Sequence, residues 1–186
     1  MPMAMEQARW PGWSAERTLV LPVPEAAWAP PRGGVTLDGV AFEPKRELHV
    51  TLASGALGRE LHVAMRGRAL ERATRAAFEA QDWSFTRAGR WLLLRKPAGD
   101  ARRPGAVHSI IECIDMPALA PFHATLGNLL GRELALPPPH VTLFTARKAE
   151  GLGVASARQL RAYLLREVAA DELTSMEVAG SPPPRA

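Results

Sequence analysis

The sequence predicts a single α+β domain in which strands and helices alternate in two halves, and three observations support this prediction. The 186 residues are 47% hydrophobic and 23% charged, a composition typical of one soluble globular domain with an ample core. Segments with apolar residues at helical spacing alternate twice with short β-type runs. One four-residue strand sequence also occurs in both halves.

The first half is predicted to contain several short strands around one long helix. Residues 58–80 contain no proline, are rich in alanine and arginine, and carry apolar residues at helical spacing, which predicts a helix. After it, Ala88-Gly89 predicts a hairpin turn between two strands. The predicted strands of this half are short apolar or β-branched runs at residues 18–23, 35–42, 47–53, 83–86 and 90–95.

The second half repeats this order. Residues 107–114 form a β-branched run that predicts a strand, and residues 117–134 carry leucines at helical spacing. The three prolines at 137–139 break that helix and precede a predicted strand over residues 140–145. A final helix is predicted over residues 155–169, where four apolar residues share one face.

Composition and the chain ends set further expectations. The net charge of +4 favours anionic partners only mildly. Cys113 is the one cysteine, which excludes an intrachain disulfide and the common zinc sites and favours a reducing cytoplasm. The sequence shows neither a signal peptide nor a membrane-spanning stretch. We therefore expect a cytoplasmic monomer with a folded domain over residues 17–170 and flexible segments at residues 1–16 and 171–186.

The sequence His-Val-Thr-Leu occurs at residues 49–52 and again at residues 140–143. Side chains alternate along a strand, so the histidine and threonine of each copy share one face, and the valine and leucine share the other. The apolar pair predicts a core contact on one side. Each copy therefore predicts an imidazole and a hydroxyl presented together on the opposite side.

This pair of motifs suits phosphoryl chemistry without a metal. If the two halves pack around an approximate two-fold axis, His49 and His140 converge, one imidazole accepting a proton and the other donating one. The hydroxyls of Thr51 and Thr142 can then donate hydrogen bonds to phosphoryl oxygens. Metal-ligand motifs are absent from the sequence, and Glu47 is expected to be a hydrogen-bond partner of His49.

The two motifs resemble those of the two-histidine (2H) phosphoesterase superfamily, whose members carry one histidine–hydrophobic–threonine/serine–hydrophobic motif in each lobe. Pro139 directly before the second motif and the segment Gly-Leu-Gly-Val-Ala-Ser at residues 151–156 are also similar to bacterial members. The resemblance covers about residues 17–170. It implies two pseudo-symmetric lobes of antiparallel sheet with flanking helices around a central cleft.

The resemblance also implies an activity. Members open or form phosphodiester bonds, typically at 2′,3′-cyclic phosphates, as in the bacterial RNA 2′,3′-cyclic phosphodiesterase and 2′-5′ RNA ligase group. The expected partner is an RNA end or a nucleotide with such a phosphodiester, and no cofactor is implied. His49 and His140 are the expected catalytic residues, with Thr51 and Thr142 as phosphate donors. Hydrolysis, 2′-5′ ligation, and a nucleotide- or RNA-end-binding module without turnover remain alternatives.

Three alternatives concern single residues. His123-Ala124-Thr125-Leu126 is a third copy of the pattern, but it lies in the predicted helix, where residues two apart do not share a face. We interpret it as a coincidence on a helix surface. Phe144 has the strand parity of His140 and Thr142, so it either stacks on a nucleobase in the cleft or closes the core. His49 and His140 can also be structural histidines of two strands.

Overall fold

The computed structural model describes residues 8–65, 67–96, 105–148 and 151–174. Over these residues the chain has an α+β fold built on one open antiparallel sheet of eight strands. The strands are β1 (Leu19–Val23), β2 (Val35–Leu37), β3 (Val40–Pro44), β4 (Leu48–Ala53), β5 (Thr86–Lys96), β6 (Val107–Asp115), β7 (His140–Ala146) and β8 (Leu164–Val168). The helices are α1 (Gly55–Ala64), α2 (Arg68–Glu79), α3 (Leu119–Leu130), α4 (Ala157–Tyr163) and α5 (Ala170–Thr174).

The sheet places the two motif strands side by side. The strand order is β1-β4-β7-β6-β5-β8, and the β2–β3 hairpin joins it because β3 also pairs with β7. Since β6 occupies one edge of β7, β3 and β4 share the other edge one after the other. β4 from the first half and β7 from the second half are therefore neighbours near the middle of the sheet.

Two apolar layers cover the sheet. On one face α1, α2 and α3 bury side chains such as Leu61, Phe78 and Phe122 against the strands, which forms the main core. On the other face a smaller core joins the β5–β6 part of the sheet to the segment before α4, and it contains Leu92, Leu94, Ile111, Leu152 and Val154. The burial of apolar area on both faces stabilises the central strands.

The predicted α+β class and several predicted elements are confirmed. The strands predicted over residues 18–23, 47–53, 107–114 and 140–145 correspond to β1, β4, β6 and β7, and the helix predicted over 117–134 corresponds to α3. α3 ends at Leu130, and Gly131 provides the C-cap in a left-handed conformation (φ 67°). The elements that carry the two motifs were therefore predictable from local pattern alone.

One predicted strand, one predicted turn and one predicted helix are wrong in detail. Residues 35–42 form two strands joined by Asp38-Gly39, which both have positive φ and so suit a tight hairpin. Ala88-Gly89 makes no hairpin, because the chain continues through a bulge as the single strand β5. The helix predicted over residues 58–80 is split, since Gly67 has φ 62° and begins α2 separately from α1.

The last predicted helix is also divided. Within residues 155–169 only α4 is helical, and Leu164–Val168 forms β8 against the edge of β5. Val168 is buried in the main core, so pairing and burial override the helical spacing of the leucines. Among the described residues, no helix has the length and apolar character needed to cross a membrane.

The sequence predicts a loose segment over residues 1–16, whereas its described part packs on the helices. The indole of Trp10 packs edge-on against Phe78 at a centroid distance of 5.4 Å, and that of Trp13 donates a hydrogen bond of 3.2 Å to Thr74. These contacts place Trp10 and Trp13 against α2. Residues 1–7 and 175–186, also predicted to be flexible, lie outside the described residues.

Candidate active site

The four motif side chains lie together on one face of the sheet. Val50 of β4 pairs directly with Val141 of β7, and both valines are buried in the main core. Directly opposite residues of an antiparallel pair project to the same side. The side chains that flank the two valines therefore leave the sheet on the face away from α1–α3. These are the half-buried His49, Thr51, His140 and Thr142.

A β-bulge follows the threonine in both motifs. Thr51 is paired with Val20 and Ala53 with Leu19, so Leu52 is an extra residue in β4. In β7, Thr142 is paired with Ile111 and Phe144 with Ile110, so Leu143 is an extra residue in the same motif position. A bulge re-aims the side chains around it, and bulges are frequent beside active sites. The two motifs therefore share a backbone irregularity as well as a sequence.

The bulge in β7 corrects the expectation that Phe144 lies on the cleft side. That expectation depended on a regular strand, whereas the extra residue Leu143 reverses the alternation beyond it. Phe144 is 3% exposed and belongs to the main core, while Thr145 shares the face of Thr142. Of the two interpretations of Phe144, the structure shows the core residue.

A groove of about 630 Å³ lies beside His49. The amide of Lys45 donates a hydrogen bond of 2.8 Å to the carbonyl of Leu143, and the next paired residue of this strand is Val50. On β7 only Thr142 lies between these two contact points, whereas four residues, 46–49, lie between them on the other chain segment. Residues 46–49 therefore bend away from the edge of β7. The groove is lined by His49, Thr145, Pro44, the basic residues Lys45, Arg46, Arg147 and Lys148, and the acidic residues Glu43 and Glu47.

Basic residues outnumber acidic ones in this groove by four to two. This excess of positive charge attracts an anion. Sequence reasoning did not identify these cations as site residues. Their positions in the sequence could have indicated this role, because Lys45-Arg46 precede the first motif and Arg147-Lys148 follow the second.

His140 is held in one tautomer by the backbone. Its Nδ1 lies 2.7 Å from the carbonyl of Pro138, which can only accept, so Nδ1 carries the hydrogen. Nε2 then remains available to exchange a proton with a ligand. Burial lowers the pKa of His140, and the hydrogen bond to Pro138 opposes this shift.

His49 is also shifted toward its neutral form. Burial lowers the pKa of His49 most, and the positive charges of Lys45 and His140 lower it further. Glu47 acts in the opposite direction as an acidic neighbour. Because the charge of His140 acts on His49, the two imidazoles are electrostatically coupled.

His123, the histidine of the third motif copy, lies in α3, as the sequence predicts. Its placement on a helix surface is wrong, because it is only 3% exposed and packs beneath β4. Its Nε2 lies 2.7 Å from the carbonyl of Leu52, while Thr125 donates from Oγ1 to Pro121 within the helix. The third copy therefore contributes no side chain to the site face.

The segment that leads to α4 forms a wall of the site. Gly151 has φ 78°, and a Cβ there would meet Oγ of Ser109 at 3.0 Å, Cγ2 of Thr145 at 3.1 Å and Cγ2 of Thr142 at 3.3 Å. The next amide, that of Leu152, donates to Ser109 Oγ at 3.0 Å. Glycine at this position lets the backbone approach Thr142 closely.

Over the described ranges, no group of three or more His, Cys, Asp or Glu side chains is placed to hold a metal ion. No family model matches the chain, and neither a curated protein nor a solved structure is significantly similar to it.

Proposed function

We propose that this protein is a metal-independent phosphodiesterase that hydrolyses 2′,3′-cyclic phosphates of nucleotides or RNA ends by two-histidine acid–base catalysis. The single observation that carries the proposal is the placement of two imidazoles and two hydroxyls on one face of adjacent strands. General acid–base catalysis needs a proton acceptor and a proton donor on the same substrate. This arrangement supplies both within one site.

In the proposed reaction, water attacks the phosphorus and one ester bond of the cyclic phosphate breaks. The neutral imidazole of the pair takes the proton of the attacking water, and the protonated one gives its proton to the leaving ribose oxygen. Thr51 and Thr142 donate hydrogen bonds to the non-bridging oxygens. His49 and His140 exchange roles according to which oxygen leaves, and solvent restores the starting protonation.

The architecture supports a two-lobed arrangement of the 2H type around this site. Each half of the chain contributes one motif strand, and the two strands are adjacent in the sheet. Each motif carries its bulge at the leucine, followed by a second residue buried in the main core, Ala53 in one half and Phe144 in the other. A repeated sequence with a repeated bulge supports descent of the halves from one structural unit.

The charge of the groove supports a phosphate-bearing substrate. Lys45 and Arg46, which lie just before β4, and Arg147 and Lys148, which follow β7, line the space beside His49. A cyclic phosphate carries one negative charge, which such a surface stabilises. A bound phosphate also favours the protonated form of an adjacent imidazole, which offsets the effect of burial on its pKa.

The decisive experiment measures turnover with purified protein and a panel of substrates. The panel contains 2′,3′-cyclic nucleotides, a linear diester and an oligonucleotide that ends in a cyclic phosphate. We expect hydrolysis of the cyclic substrates, and we expect His49→Ala and His140→Ala each to lower turnover about 10²- to 10⁴-fold. Products are resolved by chromatography, which also separates hydrolysis from ligation.

His62 provides a matched control, because it is half-buried on α1 and its Nδ1 is bonded to the carbonyl of Gly58. His62→Ala should keep turnover close to the wild-type value. A chelator should also leave activity intact, because acid, base and phosphate donors are all side chains in this proposal. Tight binding of a cyclic phosphate without turnover would instead support a binding module, and full activity in both motif variants would overturn the proposal.

A further inference from the structure

The two bulged leucines differ in how their carbonyls are satisfied. The extra residue of a bulge loses its ladder partner, so its backbone groups need a bond from elsewhere. The carbonyl of Leu143 accepts from the backbone amide of Lys45 at 2.8 Å. The carbonyl of Leu52 accepts from the side chain of His123 at 2.7 Å. Of the two bulged leucines, therefore, only Leu52 of the first motif has its carbonyl bonded to a side chain.

The surroundings of His123 fix the direction of this bond. A carbonyl can only accept, so Nε2 carries the hydrogen, and Nδ1 then lacks a hydrogen-bond partner in its buried position. Burial lowers the pKa of His123, with the bond to Leu52 acting against it, so the ring stays a neutral donor at neutral pH. Leaving one ring nitrogen buried without a partner has a cost, and an apolar residue at this position would avoid it.

We propose that His123 is a positioning residue for the site, because its hydrogen bond to Leu52 sets the bulge that aims His49 and Thr51. This inference rests on the proposed function for its kinetic part. Leu52 directly follows Thr51, and α1 begins two residues after Ala53 at the same strand end. Without the bond, the bulge can relax toward another register.

A change in the register of the Leu52 bulge would affect the first motif and not the second. The carbonyl of Leu143 in the second bulge is bonded to the backbone of Lys45 and not to His123. Loss of the His123 bond therefore moves the imidazole of His49 while that of His140 remains bonded to Pro138. Reacting groups displaced by about 1 Å can lose about 10²-fold in rate.

The test compares His123→Gln with His123→Leu in the full chain. Glutamine keeps an N–H donor near the position of Nε2, whereas leucine fills similar volume without a donor. We expect His123→Leu to lower kcat about 10- to 100-fold with a smaller change in KM, and His123→Gln to restore kcat to within about threefold of the wild type. Thermal unfolding of both variants reports any general loss of stability.

Thr74→Val is the control for destabilisation alone. Thr74 is fully buried in α2, donates to the carbonyls of Leu70 and Glu71 and accepts from Trp13, so its hydrogen bonds are made to α2 and to the N-terminal segment. It should lower the melting temperature and leave kcat unchanged. If His123→Leu and His123→Gln lose kcat equally while both remain folded, the positioning role is wrong.

A second readout needs no turnover. The imidazole proton resonances of His49 and His140 are followed by NMR in each variant, with assignments from the His49→Ala and His140→Ala spectra. We expect His123→Leu to shift the His49 resonance and its titration while the His140 resonance stays in place. Inactive wild-type protein would refute the proposed function but leave this measurement valid, and an unmoved His49 resonance would refute the positioning role.

Discussion

At the scale of single residues, the site combines two imidazoles, His49 and His140, whose environments both lower the pKa. Burial is the main cause of the lowered pKa of both His49 and His140, and one influence opposes it at each ring: the negative charge of Glu47 at His49 and the hydrogen bond to the Pro138 carbonyl at His140. In the free protein both rings therefore favour the neutral form at pH 7. The imidazole that acts as the acid is therefore protonated either at lower pH or when a bound phosphate raises its pKa.

This gives a prediction for the pH dependence of hydrolysis. Values of kcat/KM report the free enzyme, so both limbs of the expected bell should lie below the ordinary imidazole pKa of about 6.5. We expect kcat/KM to be highest below pH 6.5 and to fall as the pH rises through neutrality, because the acid loses its proton. The limbs belong to the coupled pair and not to one residue.

The measurement is a pH series of kcat/KM and of kcat on one cyclic nucleotide. The kcat profile should lie at higher pH than the kcat/KM profile, since bound phosphate stabilises the protonated imidazole. An optimum of kcat/KM well above pH 7 would contradict the lowered pKa values.

At the scale of elements, the backbone at Gly151, in the segment before α4, closely approaches Thr142. Gly151→Ala would place a methyl group 3.1–3.3 Å from the methyl carbons of Thr145 and Thr142 on a backbone with φ 78°. We expect a loss of about 1 kcal/mol in the free energy of unfolding from the left-handed backbone. Displacement of Thr142 should lower turnover about tenfold or more.

Gly153 is the matched control in the same segment. No atom lies within 4 Å of a Cβ built there, and its φ lies outside the left-handed region. Gly153→Ala should therefore leave both turnover and stability close to the wild type. Equal losses of turnover in the two variants would show that the segment acts through its flexibility and not through contact with Thr142.

A buried carboxylate, that of Glu112 on β6, binds two side chains of β5. The side chain of Glu112 is 0% exposed, accepts two hydrogen bonds from Arg87 at 2.9 and 2.6 Å, and accepts a third from the indole of Trp91 at 2.9 Å. The Arg87 guanidinium also lies 4.1 Å from the ring centroid of Trp28. The bulge at residues 88–90 allows Arg87 and Trp91 to reach the same carboxylate.

Removal of Arg87 should leave a buried carboxylate without its counter-ion. We expect Arg87→Ala to lower the free energy of unfolding by about 3 kcal/mol, the lower end for a buried pair, because Arg87 is itself partly exposed. Urea unfolding measures this change. Arg75→Ala removes an exposed i,i+4 pair with Glu79 and should leave stability nearly unchanged. Similar effects of the two substitutions would mean that burial of Glu112 has no energetic weight.

At the scale of the whole molecule, burial makes the fold sensitive to acid. The pKa values of His49, His108, His123 and His140 are all lowered, in each case mainly by burial. Below about pH 6.5 the unfolded chain binds protons at these sites more readily than the folded chain does. Stability therefore decreases as pH falls through this range.

We expect the melting temperature to decrease steadily between pH 7.5 and pH 5, as followed by circular dichroism. The lowered pKa values of Asp38 and Glu172, which are bonded to Arg166, affect stability only at lower pH, near and below about 4. His123→Gln removes one of these four imidazoles and should reduce the slope. A melting temperature that is constant or rises on acidification would contradict the burial of these histidines.

The sequence alone determined the elements that carry the site and the side of each strand to which the motif residues belong. Strand alternation is a local property with a period of two, so His49 and Thr51 share a face, and likewise His140 and Thr142, whatever the partner strands are. The helical spacing of leucines identified α3 in the same way, and therefore excluded His123 from the site face.

Only the tertiary structure decided the features that depend on a partner strand or a distant segment. A bulge exists by comparison with the neighbouring strand, so the reversal at Leu143 that turns Phe144 into the core was not encoded in local periodicity. The bond from His123 to Leu52 joins residues 71 positions apart, and the basic groove joins residues of β3–β4 to residues after β7. The helical leucine spacing before Val168 likewise gave way to pairing with β5, because tertiary burial of a short segment outweighs its intrinsic preference.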